Sequence, residues 1–222
     1  MQTRALTIGI VTVLLAIVLV AAHADPGAKR VDLDLSSPKA AVKSLGRAVD
    51  AQDGEVILKI FYTADDAERE LAKAFSELIL SGKKLGDAAR EQYGSGGDML
   101  GSGLMSQAEF AKLDQAEVKE NGDSATLTPV GQSRPIRFHR TGTRWQLVIR
   151  DFANAEDSLP RQVALLKKVS GVFTDMTDDI KAGKYGSSQE AEAAIQTKLA
   201  KLMIGAATQA TSRPAGIPAT RP

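Results

Sequence analysis

Few side chains in this sequence are equipped for chemistry. There is no cysteine, and the histidines are His23 and His139. Thiol chemistry and disulfides are excluded, and so small a stock of imidazoles argues against a structural zinc site. Strand alternation places His139 on the polar side of a sheet, where a solvated histidine is expected rather than a base or a ligand. Asp151 shares the parity of Trp145, Leu147 and Ile149, which allows it to approach the mouth of the space between sheet and helices. A carboxylate held there with a raised pKa would serve as a general base, with Tyr62 and Tyr93 as companion hydroxyls. The competing expectation is a strand-end Asp151 paired with a nearby arginine, and core-edge tyrosines with wet hydroxyls. Asp175, Asp178 and Asp179 fall within one helical turn and read as a solvated face. Neither a metal nor a cofactor is expected.

One charge pattern stands apart. From Ser124 to Arg150 there is no acid, while Arg134, Arg137, Arg140, Arg144 and Arg150 lie within that stretch. Alternation puts Arg137, Arg144 and Arg150 on the same polar face as His139. Guanidinium groups suit planar anions, so this face is a candidate for an anionic envelope component or a protein partner. Acids on neighbouring strands, such as Glu117, are the expected source of neutralisation. Nucleic acid is not expected as a partner, because that face offers no aromatic residues for stacking. A homodimer through the sheet is compatible with an uncovered polar face.

The elements that position these groups follow from the pattern of apolar residues. Arg4 precedes an apolar run from Leu6 to Ala22, and Ala22-His23-Ala24 forms a small-x-small site. This order reads as a secretory signal peptide over 1–24, cleaved after Ala24. The exported product would be periplasmic or extracellular, or membrane-anchored if the segment were retained. Residues 1–24 carry one arginine and no acid, so the remainder balances 27 basic residues against 27 acidic ones. Global charge therefore gives no reason to expect a polyanionic target.

Residues 25–35 form a linker. Ser37 and Pro38 then open a helix with Val42, Leu45 and Val49 on its apolar stripe. Gln52-Asp53-Gly54 breaks it, a short helix spans Glu55 to Tyr62, and Thr63 is the expected cap of a long helix. That helix carries Leu71, Phe75, Leu78, Ile79 and Leu85, and it ends near Tyr93-Gly94. The glycine-rich loop 94–103 follows a helix and has no lysine, so it reads as a flexible connector and not a phosphate cradle. Ser106 and Glu109 form a capping box for a short helix around Phe110 and Leu113.

Asn121-Gly122 signals a hairpin that sets Val118 opposite Ala125 and Ala116 opposite Leu127. Thr141-Gly142 signals a second, setting Phe138 opposite Trp145 and His139 opposite Arg144. The result is a four-stranded antiparallel meander with one apolar face, covered by the upstream helices. Residues 157–204 form a helical hairpin that begins at Asp157 or Ser158. Residues 205–222, rich in small residues and proline, are expected to be a disordered tail.

The Ser-Pro-capped first helix, the Gln-Asp-Gly break, the hairpin Val-Lys-Glu-Asn-Gly-Asp-Ser-Ala-Thr-Leu and the last strand Gly-Thr-Arg-Trp-Gln-Leu-Val together form a recognisable order. This order resembles the cone-shaped α+β superfamily that contains nuclear transport factor two, ketosteroid isomerase and scytalone dehydratase, and above all its exported bacterial members of unknown function. The resemblance covers roughly residues 36–152. It implies an α+β cone with helices packed on the sheet, to which the helical hairpin is an addition. The superfamily hosts enzymes and non-enzymes alike. The thin catalytic inventory favours a non-catalytic ligand- or partner-binding module. The alternatives are a cone-pocket enzyme doing acid–base chemistry of the isomerase or dehydratase kind, and an envelope-anchored spacer.

Overall fold

A computed structural model describes residues 31–97, 100, 113–130, 135–155 and 157–211. The expected signal segment, the Ser106–Glu109 capping box, Arg134 and residues 212–222 lie outside the described residues.

The fold begins with local capping. Ser37 accepts a hydrogen bond from the Ala40 N–H at 3.1 Å, which starts helix α1 (Pro38–Asp50) with proline in its first turn. Its inward side buries Ala41, Val42, Leu45, Ala48 and Val49. The corner that follows places Gln52 in the left-handed region, at φ 52°. Asp53 then accepts from the Val56 N–H at 3.0 Å and opens α2 (Gly54–Ile60).

The chain leaves the helix at Ile60, and Phe61–Tyr62 forms a two-residue strand, β1. Periodicity had extended this helix through Tyr62; two residues are too few to display a strand's alternation. The next cap is Asp65 and not Thr63. Asp65 accepts from the Glu68 N–H at 2.8 Å, and Glu68 Oε2 accepts from the Ala64 N–H at 2.8 Å.

Helix α3 (Asp66–Tyr93) runs for 28 residues, about 42 Å at the standard rise. Gly94, at φ 60°, ends it, and a tight 3-10 turn over Gly94–Gly97 folds back onto its last turns. A Cβ on Gly97 would sit 2.1 Å from the Ala89 carbonyl oxygen. This part of the expected connector is therefore a packed helix stop that needs a bare backbone.

Strands β2 (Glu117–Asn121), β3 (Ser124–Thr128), β4 (Ile136–Thr141) and β5 (Arg144–Val148) form the expected meander. The sheet has five strands, however, in the order β1-β5-β4-β3-β2, and β1 lies parallel to β5. The expected all-antiparallel four-stranded sheet is thus a mixed five-stranded one.

Both hairpin turns also sit one residue later than expected, at Gly122-Asp123 and Gly142-Thr143. Val118 pairs with Leu127, Phe138 with Leu147, His139 with Gln146 and Thr141 with Arg144. The glycines, at φ 59° and 62°, take the first turn position, where a type II′ hairpin turn calls for glycine. Moving the turn by one residue shifts each partner by two, so every side chain keeps its face.

The apolar face carries Ala125, Leu127, Phe138, Trp145 and Leu147, none more than 3% exposed. Helices α1, α2 and α3 cover it, and Phe61, Phe75 and Phe152 meet there with ring centroids 5.2–5.9 Å apart. The expected α+β body of helices on a sheet is what the chain forms.

Helix α4 (Leu159–Lys181) starts from Ser158, whose side chain makes no cap bond. Gln162 serves the junction instead. It accepts from the Asn154 N–H at 2.7 Å and donates to the Asn154 and Asp157 carbonyls at 2.8 Å. Helix α4 lies along α3 in the same direction, with the Ser170 and Ser81 hydroxyls 3.1 Å apart.

Helix α5 (Ser188–Thr211) folds back to complete the helical hairpin. A second apolar cluster forms at that end from Leu85, Ala88 and Ala89 of α3, Met176 and Ile180 of α4, and Ala191 and Ile195 of α5. Asp179 ties the hairpin together, accepting from Lys184 at 2.5 Å, Lys198 at 3.0 Å and the Tyr185 hydroxyl at 3.3 Å. The Lys184 and Lys198 ammonium groups hold its carboxyl down to about 2. Helix α5 continues through Thr211, seven residues into the segment marked by composition as a tail. Among the described residues no helix is long and apolar enough to cross a membrane.

Two substitutions test this packing by urea denaturation. Phe138→Ala empties the centre of the sheet's apolar face and is expected to cost about 3–5 kcal/mol. Gly97→Ala forces the 3-10 turn off α3 and is expected to cost about 1–3 kcal/mol. Val130→Ala, at a half-exposed position, should stay within about 0.5 kcal/mol of the parent.

Candidate functional site: the polar face of the sheet

The side chains that alternate away from the core make a single surface. It carries Lys119 from β2, Thr126 from β3, Arg137 and His139 from β4, Arg144 and Gln146 from β5, and Tyr62 from β1. Its centre is aromatic. The Tyr62 and His139 rings meet across β5 with centroids 4.0 Å apart and planes at 42°. Gln146 lies between them in strand order. Its side-chain amide donates to the Lys59 carbonyl at 2.9 Å and to the Phe61 carbonyl at 3.3 Å. That clamp joins β5 to the end of α2 and to β1, and so fixes where Tyr62 stands.

Asp151 is not on the interior side. The strand ends at Val148, and residues Ile149–Phe152 form a 3-10 turn that breaks the alternation on which the sequence reading relied. Ile149 still points inward and is fully buried, whereas Asp151 turns to Arg137. The Arg137 Nε donates to both carboxylate oxygens at 2.8 Å, and its Nη2 bonds to Oδ1 as well. The backbone N–H of Arg137 donates to Oδ2 at 3.3 Å, so the carboxylate stands in for the ladder acceptor that β5 no longer supplies. The Asp151 side chain is 12% exposed and that of Arg137 60%. The hydrogen bonds that Arg137 donates to the Asp151 carboxylate raise its pKa further. The strand-end pairing is therefore the observed one, and the general-base position is not.

The remaining candidates separate. Arg144 is exposed on the polar face, and no carboxylate of the described residues reaches it. Arg150 is exposed in the 3-10 turn, where parity no longer assigns it to a face. Arg140 belongs to the other face. It pairs with Asp123 at 3.1 Å and lies over the Trp145 ring, 5.1 Å from its centroid. Tyr93 is remote from the sheet, at the second apolar cluster, where its hydroxyl donates to the Tyr185 carbonyl at 3.2 Å and burial raises its pKa. Asp151, Tyr62 and Tyr93 therefore do not gather inside the body.

Charge on the polar face is largely matched from within. Asp151 answers Arg137, and Glu117 answers Lys119 at 3.2 Å. What remains is a nearly neutral surface that donates and accepts hydrogen bonds, with the Tyr62–His139 rings at its centre and Arg144 as its unmatched cation. Among the described residues no group of three or more His, Asp or Glu side chains is placed to hold a metal ion. The part that sequence reasoning missed is Tyr62 beside His139. Its signal was the apolar run Ile60-Phe61 against the helix-ending Tyr62-Thr63, which is short for a strand assignment.

Comparison with family models, with curated proteins and with solved structures finds no match.

The Arg137–Asp151 pair is testable by itself. A double-mutant cycle of Arg137→Ala and Asp151→Asn, read by denaturation, is expected to give a coupling of about 1 kcal/mol. A coupling near zero would mean that Asp151 is held by other groups.

Proposed function

We propose that this chain is an exported, non-catalytic binding module whose polar sheet face docks a protein partner. The observation that carries this reading is the division of the molecule's chemistry. The sheet–helix interior is filled by Phe138, Leu147, Phe61 and Phe75, each at most 3% exposed, while the ring pair and the unmatched guanidinium face outward. A polar, nearly neutral surface with aromatic anchors suits a folded partner better than a polyanion, because aromatic and arginine side chains dominate such contacts. Arg144 would meet a carboxylate on that partner.

The same reading takes residues 36–152 as the cone of the nuclear-transport-factor-two-like superfamily. Support for it comes from three helices lying on one face of a single sheet and from a polar opposite face left open by the described residues. The acid–base alternative draws no support from this arrangement, since Asp151 is tied to Arg137 and the interior is apolar. Export itself rests on the Arg4-to-Ala24 pattern. The spacer reading requires that segment to be retained.

A photo-crosslinking side chain placed at position 144 and, separately, at the exposed position 168 of α4 tests the proposal in cells that make the full chain. Adducts with a discrete protein, or with a second copy of this chain, are expected from position 144 and not from 168. Adducts from 168 alone, from both positions equally or from neither would overturn it.

A further inference from the structure

Asp50 is the last residue of α1, where the negative end of the helix dipole opposes a carboxylate. It is half-buried, and its Oδ1 has no hydrogen-bond partner. Such an atom calls for an explanation, since buried polar groups are nearly always satisfied.

The charged groups that bear on Asp50 both come from α3. They are Lys83 and Asp87. Lys83 is itself only 12% exposed and is bonded to Asp87, four residues along the same helix, so its ammonium is already engaged and bears on Asp50 through its charge. Gln52 in the corner between α1 and α2 also donates to Asp87, at 3.3 Å. Asp53 is turned into its own cap on Val56 and does not take part. The corner is thus fastened to α3 through Asp87, with a second carboxylate held beside the fastening and its own oxygen unanswered.

We propose that Asp50 makes the α1–α2 corner an acid-tightened latch: protonated, it removes the excess negative charge beside Lys83 and Asp87; ionised, it loosens the corner from α3. Burial pushes the Asp50 pKa up from the ordinary 3.8 to about 6, with Asp87 adding to the rise and Lys83 opposing it. A folded-state pKa above the unfolded one means that the folded chain holds the proton more tightly. Stability is therefore greatest at low pH within this window, and it falls as pH rises from about 3.8 to about 6. Half-exposure reduces the effect through solvent screening.

Thermal melts of the full chain at about pH 5 and about pH 7.5 test this, with Asp50→Asn as the comparison. On passing to the higher pH, the parent should lose about 3 °C more than Asp50→Asn does. Amide exchange at residues 51–54, corrected for intrinsic rates, should quicken at the higher pH in the parent and not in the variant. Equal pH dependence in the two proteins would overturn the latch. Should Asp50→Asn fail to fold, carbon NMR titration of the parent decides: an Asp50 carboxyl midpoint near 6 sustains the proposal, and one near the ordinary 3.8 ends it.

Discussion

Removing one face of a five-stranded sheet from water is the constraint on which the rest of this structure depends. Ala125, Leu127, Phe138, Trp145 and Leu147 project from a single side because alternation leaves them no other arrangement. An apolar sheet face has to be buried against another layer. Burial of each large side chain contributes about 1.5–3 kcal/mol, and α3 supplies the longest surface for it. Its Leu71, Phe75, Leu78 and Ile79 share that core. The order of the other elements follows from this contact. The α1–α2 corner brings a second helix over the sheet, and β1 leaves α2 in time to pair with β5. The Leu35 carbonyl accepts from the Trp145 N–H at 2.8 Å, so the strand edge ahead of β1 is answered by the arm that leads into α1.

The same alternation that builds the core gathers the polar side chains on the opposite face, so the candidate site is the necessary reverse of the core. This explains why its charges are matched locally. Arg137 and Arg140 lie three residues apart on β4, an odd separation, and so point to opposite faces; each finds its own aspartate, Asp151 in the one case and Asp123 in the other. An arginine-rich stretch without acids in the sequence becomes two ion pairs in space, because Asp123 and Asp151 flank the stretch and turns return them to it. Linear charge counting overstates the positive field of such a face, and Arg144 is the part of it that survives.

The fold was legible where the signal was periodic or chemical. Ser37-Pro38, Asp53-Gly54 and Tyr93-Gly94 mark helix ends by capping chemistry, and the structure places ends there. The two hairpins were legible as to face and wrong as to partner, because a turn centred one residue later leaves parity unchanged. Three features were misread in whole or in part. Phe61-Tyr62 is too short to alternate, so the parallel strand and the Tyr62–His139 contact were invisible. Thr63 and Asp65 are both competent caps, and the choice fell to Asp65 through its reciprocal bonds with Glu68 and Ala64. Asp151 pairs with an arginine as a strand-end aspartate was expected to do, but the side it faces was read by carrying alternation three residues past the end of β5, where a 3-10 turn takes over. For the first and third the deciding interaction is between residues that the linear pattern does not relate, whereas Asp65 and Glu68 stand at a capping-box spacing that the sequence did carry.

The helical hairpin has a separate apolar cluster, and this bears on how the molecule divides. Leu85, Ala88, Ala89, Met176, Ile180, Ala191 and Ile195 bury against one another, while Leu159 and Leu166 at the other end of α4 belong to the sheet's core. Helices α3 and α4 are thus beams shared by two cores, and α5 touches the body through the far one. Disturbance near Asp179 or Tyr93 would be felt first in the hairpin. Disturbance at Asp50 would be felt at the corner that feeds β1. Since Tyr62 enters the sheet from that corner through α2, while Gln146 clamps the same junction from β5, the polar face is tied more closely to the α1–α2 corner than to the far end of α4 and α5. The far end of the hairpin, built on Met176, Ile180 and Ile195, is therefore the part least tied to the surface that the sheet presents.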